Sequence, residues 1–156
     1  MAHMGKQKIV IVGGGFGGIK AALELSGSAQ ANTFDITLIS KQPNFQYYPA
    51  LYRTATGGSV AGSSIPLQDI LSETGVKVVI DEATVLDRKA KSLTLASGKT
   101  VNYGTLVMGL GVVTNYFGIP GMEEFSLASS RLKQFNVSNN IFMNKSTTSG
   151  DRILIL

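Results

Sequence analysis

The sequence predicts an α/β fold in which a parallel sheet carries an additional antiparallel β-meander. Three observations lead there. Lys8 to Val12 is a short β-branched apolar run followed at once by glycines and a helix-forming stretch. Asp35 to Ile39 is a second such run, reached after a polar connection, which is the order of a βαβ unit. From Val76 onward, short β-rich runs alternate with turn residues, the pattern of a meander.

Met1 to Met4 reads as a leader appended for expression, so His3, the single histidine of the chain, carries no chemistry in this reading. Lys8 to Val12 suits a strand buried on both faces. Gly13, Gly15 and Gly18 then fall in the spacing G-x-G-x-x-G, and Ile19 to Leu25 has the composition of a helix. Each glycine has its own physical role. Gly13 allows the tight strand-to-helix turn, Gly15 lets backbone approach a pyrophosphate, and Gly18 lets the helix pack closely on the strand. The unpaired N–H groups and the positive dipole end of that helix would face the phosphates. A Rossmann-like dinucleotide site, FAD/NAD(P)-binding in kind, is therefore expected. The alternative is the same turn in a Rossmann-like fold that binds nothing.

Ser26 to Phe34 is an ordinary small, polar connection, and Asp35 to Ile39 completes the βαβ unit. The end of this second strand usually carries an acid that bonds the adenosine ribose. Ser40 stands there instead, followed by Lys41. Serine can bond a ribose hydroxyl, more weakly than a carboxylate. Ser-Lys equally suits a 2′-phosphate, which would be an NADP site. Gln42 to Ser64 is long for a connection and rich in aromatics, and such loops are commonly functional. Phe45, Tyr47, Tyr48, Leu51 and Tyr52 either fold under as a satellite core or line a flat ring system. Pro66 to Thr74 reads as a short helix ended by Gly75.

Lys77 to Ile80, Thr84 to Asp87, Ser92 to Leu95 and Thr100 to Tyr103 read as the strands of the meander, with turns at Arg88 to Lys91 and Ser97-Gly98. Leu106 to Val113 returns as another buried strand with glycines at its exit. Gly118 to Gly121 is a turn, and Glu123 and Glu124 a solvated turn. Ser129 to Lys145 reads as a helix interrupted at Asn136 to Asn140, Thr147 to Asp151 as a linker, and Arg152 to Leu156 as a fresh apolar strand.

Composition narrows the function classes. With 156 residues the chain is one ordinary domain. The absence of cysteine excludes a disulfide framework, a thiolate metal site and a redox dithiol, and no metal-ligating set is expected. Fourteen basic against ten acidic residues give a formal charge of +4 without a like-charge run, which favours anionic ligands over nucleic acid. No apolar run approaches the roughly 18 residues of a membrane span. A soluble, cytoplasmic chain is expected.

IVGGGFGG at 11–18, ITLISKQPNFQYYPALYRTATGG at 36–58 and SGKTVNYGTLVMGLGVVTNYFGIPGMEE at 97–124 together resemble a known family. They resemble the FAD-binding half of two-dinucleotide-domain flavoproteins (pyridine nucleotide-disulfide oxidoreductase-like), most closely the type II NADH:quinone dehydrogenases. The resemblance implies that Gly13, Gly14, Gly15, Phe16, Gly17 and Gly18 hold the FAD pyrophosphate, with Ser40 and Lys41 at the adenosine ribose. It implies that Ala83 offers its backbone to the adenine, that Tyr47 and Pro49 sit near the flavin, and that Gly109 and Gly111 allow its close approach. Gly104 replaces the family's usual aspartate, and Gly109-Leu110-Gly111 its usual Ala-Thr-Gly. Outside the glycine turn, each of these residues could instead serve packing alone.

The implied reaction is hydride transfer from NADH to the flavin and then reduction of a quinone, with the isoalloxazine carrying the chemistry. No residue pair reads as nucleophile and base, and the catalytic residues stay unassigned. Residues 5–150 read as the FAD domain and 151–156 as the first strand of a truncated NADH domain. The chain alone is thus expected to be inactive, to touch a membrane only through a missing C-terminal part at its cytoplasmic face, and to self-associate through 152–156. Alternatives are a sulfide:quinone oxidoreductase, a non-enzymatic nucleotide-binding module, and an NADP-dependent dehydrogenase supported only by Ser40-Lys41.

Overall fold

The computed structural model describes residues 5–111, 115 and 117–121. Among them, residues 5–46 and 64–111 form one compact unit, and 47–63 with 115 and 117–121 belong to a second.

The first unit is built on strand β1 (Gln7–Val12), in which Ile9, Val10, Ile11 and Val12 are all buried. Helix α1 (Phe16–Ser26) follows and leads to β2 (Phe34–Ser40), parallel to β1 in the register Ile9 to Ile36 and Val12 to Ile39. Strand β3 (Asn44–Gln46) pairs antiparallel with β4 (Ser64–Pro66), and helix α3 (Leu67–Leu71) runs on directly. Strand β5 (Lys77–Ile80) adds to the far side of β2, and β9 (Thr105–Met108) to the far side of β1, giving a parallel sheet in the order β5-β2-β1-β9. Between them, β6 (Ala83–Asp87), β7 (Ser92–Leu95) and β8 (Thr100–Asn102) form an antiparallel meander.

Alternation along the central strands sorts their side chains between two layers. Ile9, Ile11, Ile36 and Leu38 face Ile19 and Ala22 of α1, Phe45, and Leu67 and Leu71 of α3. Val10, Val12 and Ile39 face Leu93 and Leu95 of the meander. Covered on both sides, Ile9 to Val12 of β1 have no polar face, and this is why they read as a continuous apolar run. Each such aliphatic side chain contributes about 1.5–3 kcal/mol through burial.

Several boundaries differ from the sequence reading, for physical reasons. Lys77 to Ile80 is a strand of the parallel sheet and not of the meander: Val78 packs on the helix side and Val79 on the meander side, as only a sandwiched strand allows. Helix α1 begins at Phe16, so Gly17 and Gly18 lie in its first turn. Helix α3 is shorter than Pro66 to Thr74, with Pro66 as its N-cap. The returning strand stops at Met108, ahead of Gly109 and of Gly111 with its φ of +77°. The stretch 42–64 is not a bare loop, since β3 and β4 begin and close it.

In the second unit, a 3-10 turn (Tyr48–Ala50) leads into helix α2 (Leu51–Ala55), and another 3-10 turn spans Val60–Gly62. The buried Ser63 hydroxyl shares a 2.7 Å hydrogen bond with Thr54 Oγ1, and Tyr47 N–H donates to Ser63 O. The aromatic stretch therefore divides: Phe45 and Leu51 are buried, whereas Tyr47, Tyr48 and Tyr52 are exposed. A turn at Gly118 to Gly121 is present, with positive φ at Phe117, Gly118 and Gly121. The leader at 1–4, Glu123 and Glu124, the helix at 129–145, the linker at 147–151 and the strand at 152–156 all lie outside the described residues. Among the described residues no helix is long and apolar enough to cross a membrane.

Candidate functional site

The parallel sheet has one place where its strand order reverses. From β1 the chain builds outward through β2 to β5, then returns to β9 on the opposite side of β1. A crevice opens at the carboxyl ends of strands where connections diverge in this way, and ligands of open α/β sheets bind there. The glycine turn at residues 13–18 sits at that point.

Its geometry separates two kinds of glycine. Gly13 has φ +113°, and a Cβ there would run into the carbonyl of Gly109. Its N–H donates to Ile39 O at 2.8 Å, while Gly109 N–H donates to Val12 O at 2.8 Å, so the exits of β1, β2 and β9 are stitched together. A Cβ on Gly109 would lie 2.9 Å from Gly18 N, and one on Gly18 would overlap the Gly13 carbonyl oxygen. Gly14 is closed by Ser40 Oγ and by Leu67 Cδ1, the latter 2.9 Å from where its Cβ would be. Gly13, Gly18 and Gly109 must be glycine for the chain to close on itself, because backbone faces them; at Gly14 the Ser40 and Leu67 side chains would have to shift.

Gly15 and Gly17 are different, because a Cβ on either would meet none of the described residues within 4 Å. Gly15 is the N-cap of α1, with no side-chain cap and no acid in the first helical turn. Among the described residues no side chain caps that terminus in place of an anion, and the helix dipole attracts one. Phe16 is half-exposed and stacks edge-on against Phe45, with ring centroids 4.8 Å apart, which holds the turn to the core.

At the end of β2, Ser40 is buried; its hydroxyl donates to Gln42 O at 2.8 Å and accepts from Gln42 N–H at 3.3 Å. A hydroxyl has one proton and two lone pairs, so one acceptor position is left. Lys41 reaches across to Glu82, Nζ lying 3.0 Å from Oε2 and 3.1 Å from Oε1. Glu82 arrives because β5 runs beside β2: Ser40 pairs with Ile80, and Asp81 N–H donates to Ser40 O at 2.9 Å. The Asp81 carboxylate accepts from Glu82 N–H at 2.8 Å. A hydrogen bond from the Ser97 side chain, with the Glu82 N–H, holds the Asp81 carboxyl below its ordinary range. Ala83 follows in β6, half-buried and paired with Leu95.

Gly13 to Gly18, Ser40, Lys41 and Gly109 are thus gathered at one edge of the sheet. Gly111 lies just beyond, with none of the described residues within 4 Å of where its Cβ would be. Tyr47 and Pro49 lie in the second unit. Glu82 is the residue that sequence reasoning passed over. The signal was present as a second valine-rich run, KVVI, followed at once by two acids. Among the described residues there is no group of three or more acidic, His or Cys side chains placed to hold a metal.

Residues 7–153 match the pyridine nucleotide-disulphide oxidoreductase family. A type II NADH:quinone oxidoreductase from Mycobacterium tuberculosis is 35% identical over 134 residues, which cover 83% of this chain and 27% of that protein. The structure of the sulfide:quinone oxidoreductase from Aquifex aeolicus superposes with a TM-score of 0.70 at 29% identity, covering 83% of this chain and 30% of its own. NDH2 from Plasmodium falciparum, solved in complex with NADH, superposes with a TM-score of 0.65 at 25% identity, covering 78% and 25%. The chain therefore spans less than a third of each of these relatives.

Proposed function

This chain belongs to the pyridine nucleotide-disulphide oxidoreductase family, and on that premise we propose that it is the FAD-binding part of an enzyme passing hydride from NADH to a quinone. The observation that carries the proposal is the open space beside Gly15 and Gly17 at an uncapped helix N-terminus, within a turn whose other glycines are closed by the fold. A pyrophosphate fits that cradle: it needs backbone N–H donors, no side chain in the way and no competing carboxylate.

In this reading the backbone of residues 14–17 binds the pyrophosphate. Ser40 and Lys41 lie beside the adenosine ribose, Ala83 presents backbone to the adenine, and Gly111 admits the flavin-linked chain, with Gly109 fixed against Gly18 beside it. Tyr47 and Pro49 lie towards the flavin. When bound, FAD supplies the two-electron chemistry. The chain's own residues supply position and charge: they fix the dinucleotide at the strand ends and keep side chains out of its path. The boundary near residue 150, self-association through 152–156 and peripheral contact with the cytoplasmic face of a membrane belong to the same proposal.

A sulfide:quinone oxidoreductase is the second reading, favoured by the superposition on the Aquifex aeolicus enzyme. It is weakened by the complete lack of cysteine in the 156 residues, since sulfide chemistry of that kind uses thiols.

Calorimetric titration of the chain with FAD and with NADPH tests the proposal. Tighter binding of FAD is expected. A clear preference for NADPH would replace it with the NADP-dependent dehydrogenase alternative.

A further inference from the structure

The position that ordinarily supplies a carboxylate to the adenosine ribose holds Ser40, whose buried hydroxyl is engaged twice by Gln42. Its proton goes to a backbone carbonyl, and donating to a ligand would forfeit that bond; its one remaining lone pair makes a weak, neutral acceptor. A carboxylate nevertheless stands at the same edge of the sheet. Glu82 is half-exposed and held against Lys41 through both of its oxygens. Backbone pairing fixes its place: Ser40 pairs with Ile80, Asp81 N–H bonds Ser40 O, and Glu82 O accepts from Ala96 N–H at 2.8 Å. The Asp81 carboxylate takes the Glu82 N–H and secures the same bend.

We infer that Glu82, brought in from the end of β5 and oriented by Lys41, is the residue that accepts hydrogen bonds from the ribose hydroxyls in place of the missing β2 acid. The inference rests on the reading of the glycine turn as a dinucleotide site. A carboxylate oxygen offers more than one acceptor direction, so each Glu82 oxygen can keep Lys41 and still take a hydroxyl proton. The same pair sets specificity. Lys41 alone would attract a 2′-phosphate; neutralised by Glu82, it does not, and the carboxylate repels one. The site would therefore select nucleotides with free ribose hydroxyls and reject 2′-phosphorylated ones.

The test compares ADP, 2′-deoxy-ADP and NADPH by calorimetry on the chain and on its Glu82→Gln and Lys41→Met variants. The wild-type chain should prefer ADP over 2′-deoxy-ADP by roughly tenfold, the scale of a hydrogen bond to a charged group. Glu82→Gln should reduce that ratio to about twofold or less, as a neutral acceptor replaces the charged one. It should also strengthen NADPH binding, and Lys41→Met should not. Both side chains are half-exposed, so circular dichroism should find the variants folded. An unchanged ADP to 2′-deoxy-ADP ratio in Glu82→Gln overturns the role of Glu82 and leaves the dinucleotide site standing. Failure of the wild-type chain to bind ADP or FAD at all overturns both.

Discussion

The α-carbon of Gly18 lies directly against the carbonyl oxygen of Gly13, so closely that a Cβ at Gly18 would overlap that oxygen. The contact is backbone on backbone, and neither partner can swing aside as a side chain would. Gly18→Ala should therefore push α1 off β1 and destabilise the chain by about 3 kcal/mol, the upper end of ordinary overpacking. Urea denaturation checks this: a lower midpoint is expected, and an unchanged midpoint would mean that the helix can shift at little cost.

Gly15 makes the opposite case. A side chain there meets none of the described residues, so Gly15→Val should cost stability by about 1 kcal/mol or less, from the poorer N-cap. FAD binding should nevertheless fall steeply, because in the proposed site the side chain would take the place of the pyrophosphate. Parallel denaturation and calorimetry on the Gly15 and Gly18 variants should separate a ligand-facing glycine from a fold-closing one. Equal losses of stability in both would remove that distinction.

Asp35 at the start of β2 and Lys77 at the start of β5 are joined at 2.9 Å. The Lys77 hydrogen bond is the chief reason that the Asp35 carboxyl sits below its ordinary range. With the folded value lowered, the pair stabilises the fold above the unfolded carboxylate range, and that contribution disappears as pH falls through the folded value. The pair is largely exposed, so it is worth at most about 1 kcal/mol. Lys77→Met should shrink the stability difference between neutral and acid solution by that order in urea titrations. A variant with the same acid dependence as the parent would show the ion pair to be energetically silent.

Much of the fold was legible because its signals are local. The run of β-branched residues before Gly13 marks a doubly covered strand, and Ser97-Gly98 marks a hairpin by turn chemistry alone. What stayed hidden depends on partners distant in sequence. Nothing local says that Lys77 to Ile80 lies parallel to β2, since Val78 and Val79 read equally well as an antiparallel strand. That one pairing also decides the site, because it is what brings Glu82 to Lys41, 41 residues away. Gly14 is a similar case: the crowding at its α-carbon comes from the Ser40 and Leu67 side chains, which only the folded chain places beside it. The G-x-G-x-x-G spacing did assign Gly13 and Gly18 to closing the fold and Gly15 to facing a ligand; what it could not supply is the atoms involved, the Gly109 carbonyl against Gly13 and the Gly13 carbonyl against Gly18.

The central claim is that the turn at residues 13–18 grips a dinucleotide by its ADP half. Competition calorimetry on the chain loaded with FAD measures this most directly, with ADP and flavin mononucleotide as the two displacing ligands. ADP should displace FAD, because it carries the pyrophosphate, ribose and adenine that Gly15, Gly17 and the end of β2 are placed to hold. Flavin mononucleotide, which lacks them, should leave FAD bound at the same concentrations. Displacement by flavin mononucleotide with no effect of ADP would contradict the claim and move the binding determinants away from the glycine turn.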